Sequence, residues 1–239
     1  MAKRRGKPPR IPQLGNHGLD DALHEYATSW SSSEPKGLEA LRRATWTQTV
    51  KPQMLCDELQ GRLLSMMSHM VRPERVLELG TFTGYATACW AEGLEEGGTV
   101  DTVDVNDELH AIQDVHWELL GITNRIRRHV GKAMQVLESE VLFEEDARLF
   151  DVVFVDADKE HQRTYVDWAI AHVREGGWIV VDNVLWWGEV LRVMNGSSED
   201  PYAIRIHELN EYMKGHPDLD NVVLPLRDGL HVARKKPRV

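Results

Sequence analysis

Cysteine is almost missing from this chain: Cys56 and Cys89 are the only two in 239 residues, and no CxxC pair occurs. That excludes a disulfide framework and a thiolate zinc site, and it points to a reducing compartment, the cytoplasm. Long apolar runs are missing too. None approaches the ~18 residues a membrane span needs, so no membrane partner is expected. The start, Met1–Arg10, is basic but is followed by no long apolar stretch, which argues against a secretory signal. No internal repeat, linker or second domain is visible.

Net charge is −10, unevenly spread. The first ten residues hold Lys3, Arg4, Arg5, Lys7 and Arg10, the last six hold Arg234, Lys235, Lys236 and Arg238, and neither end has an acid. The body between is therefore more acidic than the total suggests. It would repel a phosphate backbone, which counts against nucleic acid as a partner. Residues 1–18, with Pro8, Pro9 and Pro12, read as a flexible basic leader. Residues 19–239 read as one α/β domain, long enough for a full core.

Helices are expected at Leu19–Trp30, Leu38–Thr45 and Asp57–Met70, the first two separated by Ser31–Ser33 and Pro35. Short apolar runs then alternate with amphipathic stretches. Strands are expected at Val76–Leu79, Thr99–Val105, Ile126–Val130, Phe150–Val155, Trp178–Val181, Val222–Leu226 and Leu230–Ala233. Helices are expected at Gly84–Glu95, Glu108–Leu120, Lys132–Leu137, Gln162–Arg174 and Tyr202–Lys214. Such alternation makes a mostly parallel sheet covered on both faces. The short connection at Arg227–Gly229 makes the last two strands an antiparallel hairpin.

Two regions carry chemistry. In Val76-Leu-Glu78-Leu-Gly80-Thr-Phe-Thr-Gly84-Tyr85 a buried strand runs into a glycine turn and a helix. Ligands in open α/β sheets sit at such strand ends. The glycines form GxxxG, not the GxGxxG that grips a dinucleotide pyrophosphate. A ligand without phosphates fits better, and S-adenosylmethionine is one. Asp104, at the end of the next strand, can accept from two ribose hydroxyls. The plain alternative is a tight turn with a strand-end cap.

The second region joins Phe154-Val-Asp156-Ala-Asp158-Lys159 to Ile179-Val-Val-Asp182-Asn183. Adjacent strands lie about 4.8 Å apart, so acids at matching ends converge. Two carboxylates and a carboxamide suit Mg²⁺ or another hard divalent cation, whereas zinc prefers Cys and His. Lys159, placed one turn into the following helix, is either the compensating cation or a general base. A lysine shielded beside a divalent ion should have a lowered pKa. The alternative is strand-end acids that cap helices and pair with Lys159.

These residues resemble a known family. Val76–Tyr85, Asp156-Ala-Asp-Lys159 with Tyr165, Gly176-Gly177, Asp182-Asn183-Val-Leu-Trp186 and Leu226–Arg234 look like the metal-dependent small-molecule O-methyltransferases. That family includes the catechol and caffeoyl-CoA enzymes, and the resemblance runs from about Leu38 to Lys235. It implies a Rossmann-like S-adenosylmethionine-dependent methyltransferase fold, with a seven-stranded, mostly parallel sheet. It also implies Mg²⁺ on Asp156, Asp182 and Asn183, with Lys159 and Asp156 as catalytic residues. Met54, Cys56, Glu78, Gly80, Tyr85, Ala86, Asp104, Val105, Ala133 and Asp156 would hold the cofactor. Trp186, Trp187 and His231 would meet the acceptor, a catechol-like aromatic hydroxyl compound. Ordinary packing is the alternative for the tryptophans and a structural role for His231. Plant and bacterial members of that family are commonly homodimers and the catechol enzyme is a monomer; a homodimer built on the N-terminal helices is the expectation here.

The chain departs from the family pattern at Ala86, Lys132, Gln162 and His231, and none of these touches the metal triad. Two rival functions remain: a metal-independent methyltransferase on another acceptor, and a non-catalytic cofactor-binding protein.

Overall fold

The structure is a computed structural model that describes residues 21–144 and 146–238. The leader expected over residues 1–18 lies outside them. In chain order come α1 (Asp21–Trp30), α2 (Lys36–Gln48), α3 (Glu58–Val71), β1 (Arg75–Leu79), α4 (Tyr85–Ala91), β2 (Thr99–Asp104) and α5 (His110–Leu119). Then follow β3 (Ile126–Val130), α6 (Ala133–Glu138), α7 (Val141–Glu144), β4 (Phe150–Val155), α8 (Gln162–His172) and β5 (Val173–Asp182). The chain ends with α9 (Glu189–Met194), α10 (Pro201–Gly215), β6 (Leu219–Leu224) and β7 (Leu230–Lys235).

All seven strands form one sheet in the order β3-β2-β1-β4-β5-β7-β6. β1 to β5 are parallel, and β7 runs antiparallel to both β5 and β6. The seven expected strands and the antiparallel final pair are all present. β1 lies between β2 and β4, so the chain reverses direction across the sheet at the β1/β4 boundary. A crevice opens at such a switch point, beyond the carboxyl ends of the strands.

Unbroken apolar runs serve a sheet buried on both sides. Along β4, Val153 and Val155 face one core with Tyr165, Val166, Ile206 and Leu209. Val152 and Phe154 face the other, with Leu64, Tyr85, Trp90 and Trp117. Burying each such side chain contributes about 1.5–3 kcal/mol. The helix ends that matter are set locally. Asp57 caps α3 by accepting from the Gln60 amide at 2.8 Å. Asp200 caps α10 through the Tyr202 amide at 2.8 Å, with Pro201 in the first turn.

Several boundaries differ from expectation. α4 stops at Ala91 rather than Glu95, because Gly93 lies directly against the Ser68–His69 backbone of α3 and the chain must turn. α8 ends at His172 rather than Arg174, since Val173 already pairs with Phe150. β6 starts at Leu219, drawn in by pairing with Lys235, and Leu226 belongs to the turn instead. Between β5 and α10 the chain folds into a tight turn at Trp186–Gly188 and then α9, a helix not expected from the sequence. Among the described residues no helix is long and apolar enough to cross a membrane.

Candidate active site

The β1 turn closes tightly over β4. Gly80 has φ +103°, and a Cβ there would strike the Asp156 carbonyl. Its amide donates to Val103 O at 2.9 Å, while the Asp156 amide donates to Leu79 O at 2.8 Å. Gly84, at φ +79°, leaves the space filled by the Trp117 indole. Both glycines are thus required by close approach as well as by backbone conformation.

Asp104 is busier than expected. Its Oδ2 accepts from the Thr81 and Phe82 amides at 3.0 and 2.8 Å, and its Oδ1 accepts from Asn106 N at 2.9 Å. The carboxylate therefore pins the glycine turn, with acceptor capacity left at Oδ1. Glu78 is fully buried one residue before the strand end. Thr102 donates to its Oε2 at 2.5 Å and Thr87 donates to the same atom, while Oε1 has no partner among the described residues. Burial pushes this carboxyl up to about 8, against the pull of the two hydroxyls.

At the next two strand ends, β4 and β5 run in register from Val152–Trp178 to Val155–Val181, which brings Asp156 and Asp182 together. Lys159 Nζ donates to Asp156 Oδ1 at 3.1 Å. Asp182 Oδ2 accepts from Gln60 Nε2 at 2.7 Å, and its Oδ1 accepts from the Asn183 amide at 2.6 Å. Burial pushes the Asp156 carboxyl up to about 6, with Lys159 opposing the shift and Asp182 adding to it. Lys159 stands in the 156–161 connection rather than one turn into α8. Asp158 shapes that connection by accepting from the His161 amide at 3.0 Å and from the Tyr165 hydroxyl.

Among the described residues no group of three or more His, Cys, Asp and Glu side chains is arranged to hold a metal ion. The third donor of the expected triad is the Asn183 carboxamide, next in the chain to Asp182. The donor chemistry fits a hard cation: these are oxygen ligands, and burial, with Asp182 adding to it, raises the Asp156 carboxyl.

Backbone strain gathers here. Six non-glycine residues have positive φ among those described, and only Arg72, ending α3, lies away from the two loops in question. Phe82 is in the glycine turn, and Asn183, Trp186, Trp187 and Arg227 surround the end of β5. Such strain persists where the surroundings over-determine it, which is common at functional sites.

The remaining expected residues divide. Met54 is exposed, Val105 is exposed just past β2, and Ala133 is buried at the start of α6. Cys56 is buried, and loss of water pushes its thiol well up. Ala86 is partly buried against the α3–α4 core. The Tyr85 ring is 1 % exposed and its hydroxyl donates to Glu34 at 2.6 Å, so only its backbone is left for a ligand. Trp186 turns inward, donating to Asp200 Oδ2 at 3.1 Å and packing on Tyr202, whereas Trp187 is 44 % exposed.

His231 is not brought to the cleft. It is 1 % exposed, with Nδ1 at 2.9 Å from Asn210 Oδ1 and Nε2 at 3.1 Å from Asn221 Oδ1. Both ring nitrogens are taken by α10 and β6, so the expected acceptor contact has no atom to make it.

Three contributors went unseen in the sequence. Gln60 is fully buried on α3 and holds Asp182. A polar residue on the same helix face as core Leu64 was the one available signal. Asp228 accepts from the Trp187 amide at 2.6 Å, and Arg227 reaches the cleft from the same turn. Nothing local announces either.

Glycine crevice and acid cluster share one rim, since Gly80 and Asp156 are in contact, and so a nucleoside cofactor and its acceptor can meet there. The fold and rim together define the class of nucleoside-cofactor group-transfer enzymes. Comparison with known proteins agrees. Residues 28–236 match the family model described as O-methyltransferase. The chain is 33 % identical over 216 residues to catechol O-methyltransferase domain-containing protein 1 of Mus musculus, covering 90 % of this chain and 80 % of that one. It is 30 % identical over 233 residues to caffeoyl-CoA O-methyltransferase 1 of Arabidopsis thaliana, covering 95 % and 90 %. The O-methyltransferase of Bacillus cereus, solved in complex with SAH, superposes with a TM-score of 0.79 at 27 % identity, covering 90 % of this chain and 97 % of that one. The chain belongs to the S-adenosylmethionine-dependent O-methyltransferase family, of the caffeoyl-CoA and catechol type.

Proposed function

We propose that this enzyme methylates one hydroxyl of a vicinal dihydroxy aromatic, a catechol-like small molecule, with help from Mg²⁺ or a similar divalent cation. The observation that carries the reading is the pairing of Asp156 with Asp182 beside Lys159, against the glycine turn. The relatives' names, catechol O-methyltransferase domain-containing protein 1 and caffeoyl-CoA O-methyltransferase 1, support the acceptor class.

Bound S-adenosylmethionine supplies the methyl group, and a divalent cation supplies a Lewis acid for the acceptor's two oxygens. Asp156, Asp182 and Asn183 would hold that cation. Asp104 Oδ1 would take ribose hydroxyls, and the Gly80 turn with Glu78, Tyr85 and Ala86 would enclose the amino-acid end. Val105 and Ala133 would flank the adenine, with Met54 and Cys56 at the mouth. Lys159 Nζ takes the proton from the attacking hydroxyl, being held at the site by Asp156. Trp187, the exposed tryptophan, gives the acceptor ring a flat surface. Residues 19–239 form the catalytic unit, and the cytoplasm suits its two unpaired cysteines. Exposed Leu23, Tyr26 and Trp30 on α1 support the homodimer.

The test is methyl transfer to catechol with Mg²⁺ and with chelator, in the wild type and in Asp182→Ala. Turnover should require the metal and vanish in the variant, while S-adenosylhomocysteine still binds. Full turnover under chelation would sink the metal-assisted reading.

A further inference from the structure

The turn between β6 and β7 places an arginine where the backbone discourages one. Arg227 has φ +51°, a conformation in which a side chain is strained and glycine is favoured. The turn is nonetheless held firmly. Leu185 N donates to Asp228 O at 2.8 Å, Val184 N to Gly229 O at 3.2 Å, and Trp187 N to Asp228 Oδ1 at 2.6 Å. The Arg227 side chain then crosses the cleft mouth towards α3. Its Nη1 reaches Gln60 Oε1 at 3.5 Å and its Nη2 reaches Gln53 O at 3.3 Å. Gln60 is the residue whose other end holds Asp182.

Burial weakens the guanidinium's charge, but Asp57, Asp182 and Asp156 lie close enough to outweigh it. Yet each acid is engaged elsewhere. Asp57 accepts from Gln60 N and lies 3.2 Å from His24 Nε2, Asp156 pairs with Lys159, and Asp182 accepts from Gln60 and the Asn183 amide. Among the described residues no carboxylate lies within ion-pair distance of Arg227. It keeps a permanent charge and makes two long hydrogen bonds, out of five N–H donors. A planar, weakly engaged guanidinium at the rim of a small-molecule cleft is suited to a carboxylate. Its partners Gln53 O and Gln60 set it beside the Asp182 cluster, where Gln60 holds the carboxylate.

We infer that Arg227 is a specificity residue that binds a carboxylate on the aromatic acceptor, so that a dihydroxybenzoate- or dihydroxycinnamate-type acid is preferred over the neutral diol. The inference rests on the acceptor reading proposed above and narrows it to a substrate class. Arg227 takes no part in proton or methyl transfer.

The experiment compares 3,4-dihydroxybenzoate with catechol, using the full chain with S-adenosylmethionine and Mg²⁺. Wild type should favour the acid. In Arg227→Gln, the acid-to-diol ratio of kcat/KM should fall by roughly 10- to 100-fold, carried by KM, as expected for losing a charged hydrogen bond. Arg227→Lys should recover part of the ratio. Arg227→Gly relieves the backbone and should melt no lower than wild type while losing the preference, which separates recognition from folding. No preference in wild type, or an equal fall for both acceptors, overturns the inference. If neither compound is methylated, the acceptor reading itself fails. Calorimetry of each compound with the S-adenosylhomocysteine-loaded protein then decides the matter, and equal binding of acid and diol overturns the role of Arg227.

Discussion

Replacing Glu78 with glutamine should make the protein progressively more stable than wild type as the pH rises. Glu78 is fully buried on β1, with two hydroxyls on Oε2 and no partner on Oε1 among the described residues. Burial pushes its carboxyl up to about 8, from an ordinary 4.5 in the unfolded chain. The folded state therefore holds this proton more tightly than the unfolded state does. Its contribution is fully present below pH 4.5 and is lost as pH rises towards 8, at up to about 1.4 kcal/mol per pH unit. Over that window the loss is on the order of 4–5 kcal/mol as an upper bound. Glutamine keeps the shape and the neutral amide, so the variant should lack this slope. Urea unfolding of both proteins at pH 5, 6, 7 and 8, without cofactor, gives the difference directly, and contributions from other titrating groups largely cancel in it. A difference that stays flat across the series, or that favours wild type increasingly at high pH, would refute the argument. It would mean that Glu78 is ionised in the folded protein.

Gly80→Ala should destabilise by roughly 2–4 kcal/mol and abolish S-adenosylhomocysteine binding, because its Cβ meets the Asp156 carbonyl at φ +103°. Thermal melts and calorimetry check both effects. Lys159→Met should lower kcat by roughly 100- to 10,000-fold with cofactor affinity kept, and a change confined to KM would count against a base. Phe154→Ala removes a ring that is 1 % exposed and packs 6.0 Å from Trp90, so it should cost about 3–5 kcal/mol in denaturant titration. Gln60→Leu frees Asp182 Oδ2, and turnover in this variant should fall far more than S-adenosylhomocysteine binding does.

Much of the architecture was legible because burial follows local periodicity. The unbroken runs Val76–Leu79 and Phe150–Val155 could serve only a sheet covered on both faces, and Gly80 with Gly84 marked the turn where side chains would collide. Asp156 and Asp182 were likewise readable, since acids at the ends of consecutive strands of a parallel sheet come together when those strands are neighbours. His231 shows the limit. On sequence it was a polar residue in the right segment, but pairing of β7 with β5 and β6 turned it towards Asn210 and Asn221. Trp186 and Trp187 were indistinguishable as neighbours, and the two strained φ angles sent one inward and left the other exposed.

The chain's own order of residues determined the sheet, the glycine turn and the pair of acids, because each depends on backbone preferences and burial within a few residues. Folding alone decided what surrounds those acids. Gln60 reaches Asp182 across 122 positions, and Arg227 reaches Gln60 across 167. Asp104 spends most of its carboxylate on the turn it was expected to complement. Hydrogen bonds and charges act over ångströms in space, and polar groups so far apart in the chain leave no periodic trace of their partners.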